Sequence, residues 1–131
     1  MSEIDASILD RLFAVIESRK GADPSSSWTA KLLAGGPEEI AKKVGEESVE
    51  TIIAALTQGD EALANESADL LYHLLVLWAA KGVVPADVWR VLESREGTSG
   101  IVSLSSSTSW IHCLRAAAPS ILSWTDVRTS L

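Results

Sequence analysis

The chain has 131 residues, 47% apolar and 22% charged, and a net charge of −7, which suits one folded domain with its own core. The acidic balance argues against a general nucleic-acid surface, which needs clustered excess Lys and Arg, but it still allows phosphates to be handled through a divalent cation held by carboxylates. No apolar run approaches the roughly 18 residues of a membrane helix, the start MSEIDASILDRLF has no signal-peptide pattern, and Cys113 is the single cysteine, so the sequence predicts a cytoplasmic protein with no intrachain disulfide and no membrane association.

Ser2-Glu3-Ile4-Asp5 reads as a helix start with Ser2 as N-cap, and Ile4, Ile8, Leu12, Val15 and Ile16 then recur at helical spacing to about Arg19. Lys20 to Pro24 break this helix, and the polar Ser25-Ser26-Ser27-Trp28-Thr29 leads into a short helix through Lys31, Leu32 and Leu33. Ser26, Ser27 and Thr29 are candidate caps for it. Gly35-Gly36 ends that piece, and Pro37 opens the next helix with Glu38 and Glu39 in its first turn. That helix carries Ile40, Val44, Val49, Ile52, Ile53 and Leu56 and stops near Gly59.

Asp60 is the expected cap of a further helix that becomes apolar almost all round from Leu70 to Trp78. Such a helix needs partners on several sides, either further helices or a second subunit, so dimerisation is one expectation. Lys81-Gly82 closes it, and Pro85-Ala86-Asp87 opens a last helix to about Arg95. No alternating strand pattern occurs in this body. The expected fold is therefore all-α, a bundle of about four to five helices over residues 1–100. Residues 101–131 hold only Arg115, Asp126 and Arg128 as charged side chains and a Ser-rich run, and they read as an atypical appendage, either disordered, packed back on the body, or frame-shifted and foreign to it.

The informative stretch is 43–73. Glu46, Glu47 and Glu50 lie within one turn of one helix, and Glu66 and Asp69 repeat the three-residue step on the next. If the chain reverses near Gln58, Glu50 comes level with Glu66 and Glu47 with Asp69, in layers roughly 12 and 16 Å from the turn at about 1.5 Å rise per residue. A solvated acidic face is the ordinary explanation of such clusters. However, like charges at this spacing repel, and a hard cation such as Mg²⁺ or Mn²⁺ reverses the sign of those terms. By the same arithmetic His73 falls level with Lys43, one turn further on, and reads as a hydrogen-bonded core residue bordering the carboxylates rather than a ligand. Lys31, Lys42 and Lys43 are either solvated or contacts for phosphates. Cys113 has no base partner and is given no nucleophilic role.

The pattern Glu46-Glu47-Ser48-Val49-Glu50 followed by Glu66-Ser67-Ala68-Asp69 resembles the metal-binding signature of the all-α nucleoside triphosphate pyrophosphohydrolases, the MazG-like superfamily. Within it, three segments are together similar to the phosphoribosyl-ATP pyrophosphatases of histidine biosynthesis. They are Ser26-Ser27-Trp28-Thr29-Ala30-Lys31-Leu32-Leu33, Lys42-Lys43-Val44-Gly45-Glu46-Glu47 and Ala68-Asp69-Leu70-Leu71-Tyr72-His73-Leu74-Leu75-Val76-Leu77. The resemblance spans roughly residues 4 to 100.

It implies Mg²⁺-dependent hydrolysis of phosphoribosyl-ATP to phosphoribosyl-AMP and pyrophosphate. Glu47, Glu50, Glu66 and Asp69 become metal ligands, and Glu46 is placed to orient a water or a second ion. Lys31, Lys42 and Lys43 become phosphate contacts. The catalytic set is then Glu46, Glu47 and Glu50, with the general base unassigned among the carboxylates. The same resemblance implies a homodimer with intertwined helices. Two alternatives stand beside it: a MazG-like enzyme for other nucleoside triphosphates, and a non-catalytic helical interaction module with an acidic face.

Overall fold

The computed structural model describes residues 4–97, and within them four helices follow one another: α1 (Ile8–Ser18), α2 (Trp28–Thr57), α3 (Asp60–Lys81) and α4 (Pro85–Arg95). Among the described residues there is no strand, so this part of the chain is all-α. Ser2, Cys113 and the low-charge segment 101–131 lie outside the described residues. The chain divides between Val91 and Leu92 into two units, and the end of α4 with the two residues after it is the described part of the second.

The first helix begins later than its apolar spacing suggests. Asp5 accepts hydrogen bonds from the Ser7 backbone N–H at 2.9 Å and the Ser7 hydroxyl at 2.5 Å, a local turn that competes with helix formation and delays it to Ile8. Ile4 is consequently 99% exposed and contributes nothing to the core.

The expected break at Gly35-Gly36 is present as a kink inside α2. Gly36 has φ 84° and ψ 175°, a region that essentially only glycine enters, and Pro37 follows it as the first residue of the longer segment. Ser27 caps the short segment, its hydroxyl accepting from the Ala30 N–H at 3.1 Å. Ser26 and Thr29 do not share that task. The Ser26 hydroxyl donates to the Asp23 carbonyl, and Thr29 Oγ1 pairs with the Tyr72 hydroxyl at 2.8 Å. At the hairpin the cap of α3 is Gly59, not Asp60, which is already helical and lies in the first turn where its charge favours the helix dipole. Gly82, left-handed at φ 73°, ends α3 as its position predicts.

α2 packs along α3, and α1 packs on α3. Phe13 and Ile16 of α1, Leu32 and Ile40 of α2, and Leu75, Val76 and Ala79 of α3 form the core. Removing each large aliphatic side chain from water contributes roughly 1.5–3 kcal/mol. α3 is not buried all round within this chain, because Leu71 is exposed and Leu70, Leu74 and Leu77 are only partly covered. On α2, Val49, Ile52, Ile53 and Leu56 are all exposed at a spacing that puts them on one stripe. Among the described residues no single helix is long and apolar enough to cross a membrane.

Candidate functional site

Only Gln58 and Gly59 separate α2 from α3, so the two helices fold back on each other and their facing acidic positions meet. One carboxylate oxygen each from Glu47, Glu66 and Asp69 lies within 4.8 Å of the other two. Glu47 is buried, Glu66 half-buried and Asp69 exposed, so the group forms a descent from the helix interface to solvent. Burial pushes the Glu47 carboxyl above the usual carboxylate range; His73 opposes this, while Glu50 and Asp69 push it further in the same direction.

His73 lies at the inner end of this descent. Its ring is buried, with Nδ1 at 2.8 Å from the Asp69 carbonyl and 3.8 Å from Glu47 Oε1. A carbonyl only accepts, so Nδ1 carries the proton and donates to Asp69. Tyr72 meets the His73 ring edge-on with centroids 4.9 Å apart. The expectation of a hydrogen-bonded core histidine beside the carboxylates matches this arrangement.

The remaining candidates fall around the cluster rather than in it. Glu50 is exposed and outside the three-oxygen group, although its charge acts on Glu47. Glu46 is paired with Lys43 Nζ at 2.6 Å, and this bond holds its carboxyl below the usual range and raises the Lys43 ammonium. Lys42 is exposed. Lys31 is exposed as well, with its ammonium 5.6 Å from the centre of the Trp28 ring, within cation–π range. The sequence reading gave Tyr72 no role, although the tyrosine hydroxyl at an otherwise apolar position of α3 was the available signal.

Chemically, the cluster offers oxygen donors only. Among the described residues His73 is the basic side chain within ion-pair distance of Glu47, and it carries full charge only when protonated. Three converging carboxylates without a matching set of Lys or Arg suit a hard divalent cation such as Mg²⁺ or Mn²⁺ better than a soft one.

Comparison with known proteins identifies the family. Residues 9–96 match the Phosphoribosyl-ATP pyrophosphohydrolase family. A phosphoribosyl-ATP pyrophosphatase of Azospirillum brasilense is 60% identical over 99 residues, covering 76% of this chain and 89% of the relative. One from Cereibacter sphaeroides is 65% identical over 95 residues, covering 72% and 91%, and one from Caulobacter vibrioides is 59% identical over 106 residues, covering 81% and 98%. With two-thirds of its length matched and near-complete coverage of these relatives, the chain belongs to the phosphoribosyl-ATP pyrophosphohydrolase family.

Proposed function

We propose that this chain hydrolyses phosphoribosyl-ATP to phosphoribosyl-AMP and pyrophosphate, the second step of histidine biosynthesis, with Mg²⁺ as the working ion and Mn²⁺ as a substitute. Release of pyrophosphate from a 5′-triphosphate requires breaking the bond between the α and β phosphates. The observation that carries the reading is the convergence of Glu47, Glu66 and Asp69 within 4.8 Å on facing helices in a chain at about 60% identity to enzymes named for this substrate. A module that merely presents an acidic face has no need to bury one carboxylate of the group beside a histidine.

Glu47, Glu66 and Asp69 would hold the ion in this reading, with Glu50, whose charge acts on Glu47, as the fourth carboxylate. When bound, the ion supplies Lewis-acid polarisation of phosphoryl oxygens and acidifies water. Glu47, Glu50 or Glu46 accepts the proton of the attacking water. Lys31, Lys42 and Lys43 meet the phosphates, and for Lys43 this means exchanging the Glu46 carboxylate for a phosphate oxygen. The buried His73 ring lies beside Glu47, with Nδ1 3.8 Å from Oε1 and its proton directed to the Asp69 carbonyl.

The active unit in this reading is a cytoplasmic homodimer. The dimer is supported by the stripe of Val49, Ile52, Ile53 and Leu56 on α2, between 46% and 78% exposed, and by the exposed Leu71 on α3. An apolar stripe of this kind on a helix is stable when covered by another copy.

The test is a pyrophosphate-release assay with phosphoribosyl-ATP, ATP and dUTP, each with and without Mg²⁺. Release from phosphoribosyl-ATP that is strictly ion-dependent is expected. Preference for ATP or dUTP would replace the substrate assignment with the broader MazG-like activity, and release without a divalent ion would remove the role given to the carboxylates.

A further inference from the structure

Gly36 interrupts α2, so helical continuity does not fix the direction of the short segment 28–35 relative to the carboxylates on the longer one. Among the described residues its anchoring comprises the Ser27 cap, the burial of Ala30 and Leu32, the packing of Leu33 on the core, and a polar tie to another helix: Thr29 Oγ1 to Tyr72 Oη, 2.8 Å apart, part-buried and 43 residues apart in the chain. Tyr72 also packs edge-on against His73, whose Nδ1 is 3.8 Å from Glu47 Oε1. A continuous path of contacts thus runs from the segment that bears Trp28 and Lys31 to the buried carboxylate.

We infer that Thr29 and Tyr72 are positioning residues, a hydroxyl pair that holds the 28–35 segment, and Lys31 with it, at a fixed distance from the carboxylate cluster. Neither touches the reacting atoms. The ring of Tyr72 supports His73, and its hydroxyl, the only polar atom on that ring, is directed at Thr29 rather than at the site. The inference rests on the reaction proposed above, because the segment it orients is the one assigned to the substrate phosphates. A well-held segment binds substrate and transition state alike, so the expected signature of its loosening is in KM more than in kcat.

Thr29→Val and Tyr72→Phe each remove one hydroxyl while keeping shape. Each is expected to raise KM for phosphoribosyl-ATP about three- to tenfold, the range of one net hydrogen bond, with kcat within about twofold and the Mg²⁺ requirement unchanged. The double variant is expected to match the worse single variant, because both remove the same bond. Thr29→Ser, which restores a hydroxyl, is expected to recover most of the wild-type KM. Hydrogen exchange of full-length protein, free of substrate, provides a readout that does not use activity: backbone amides of 31–35 exchange faster in Thr29→Val, while those of 47–56 are unchanged.

A lowered melting temperature with KM and exchange at wild-type values would reduce the bond to a stability contact and overturn the inference. So would effects of the two single variants that multiply in the double. If the wild-type protein releases no pyrophosphate from phosphoribosyl-ATP, the reaction assignment fails, whereas unchanged exchange in the variants refutes the positioning role whatever the substrate.

Discussion

Replacing Glu47 by glutamine is expected to make the metal-free protein more stable and inactive at once. Glu47 is buried, and its nearest carboxylate neighbours on α3 have oxygens within 4.8 Å. Two unit charges at that distance repel by about 1 kcal/mol in water and about 3.5 kcal/mol at an effective dielectric of 20. Asp69 is exposed and Glu66 half-buried, so solvent screening puts each pair near the lower figure. Glutamine removes both repulsions, keeps the shape and donates N–H to its neighbours; it forfeits the attraction to His73. The net gain is about 1 kcal/mol, or some 4 °C or more in Tm for a domain of this size.

The gain depends on pH in a defined direction. The folded pKa of Glu47 lies above its ordinary 4.5, so in wild type the penalty is absent below that pH. It grows as pH rises toward the folded value and is complete above it. Thermal melts in EDTA at pH 7.5 should therefore favour Glu47→Gln, and melts near pH 4 should show the two proteins equal. Adding Mg²⁺ at pH 7.5 should raise the wild-type Tm and leave the variant nearly unmoved, with pyrophosphate release abolished. A variant that melts lower than wild type in EDTA, or that keeps the Mg²⁺-induced shift, would refute the argument that this carboxylate is strained without an ion.

Gly36→Ala is expected to lower stability by about 1–3 kcal/mol through backbone strain alone, since the added methyl meets no atom within 4 Å; urea unfolding measures it. Leu75→Ala, at a side chain only 1% exposed, should cost about 2–5 kcal/mol in the same experiment. Leu56→Glu on the exposed α2 stripe should convert a dimer to a monomer in sedimentation velocity while the far-ultraviolet helix signal is retained, and a wild-type monomer at micromolar concentration would remove the dimer from the proposal.

The hairpin was legible because two independent signals agreed, a short polar turn and acidic residues equidistant from it, and Glu47 does face Asp69. Counting distance from the turn ignores rotation about the helix axis, however. Glu50 lies one turn from Glu47 but about 60° round the helix and is exposed where Glu47 is buried, while Glu66 joins Glu47 and Asp69 in one group. Residue spacing likewise located the Gly36 break and the Gly82 stop, where backbone geometry admits little but glycine. It misplaced the start of α1, because Asp5 satisfies local donors in a turn, and it misassigned Thr29, whose partner is 43 residues away. The all-round apolar reading of α3 exceeds what one copy covers, since periodicity records which surfaces are apolar and not which chain covers them.

The residues that gather at the cluster come from a single hairpin, with Glu47 and Asp69 only 22 positions apart. Closing so short a loop costs little entropy, and contacts of low sequence separation form early. The nascent chain can therefore assemble all three carboxylates of the proposed ion site once α3 has been synthesised, before α4 exists.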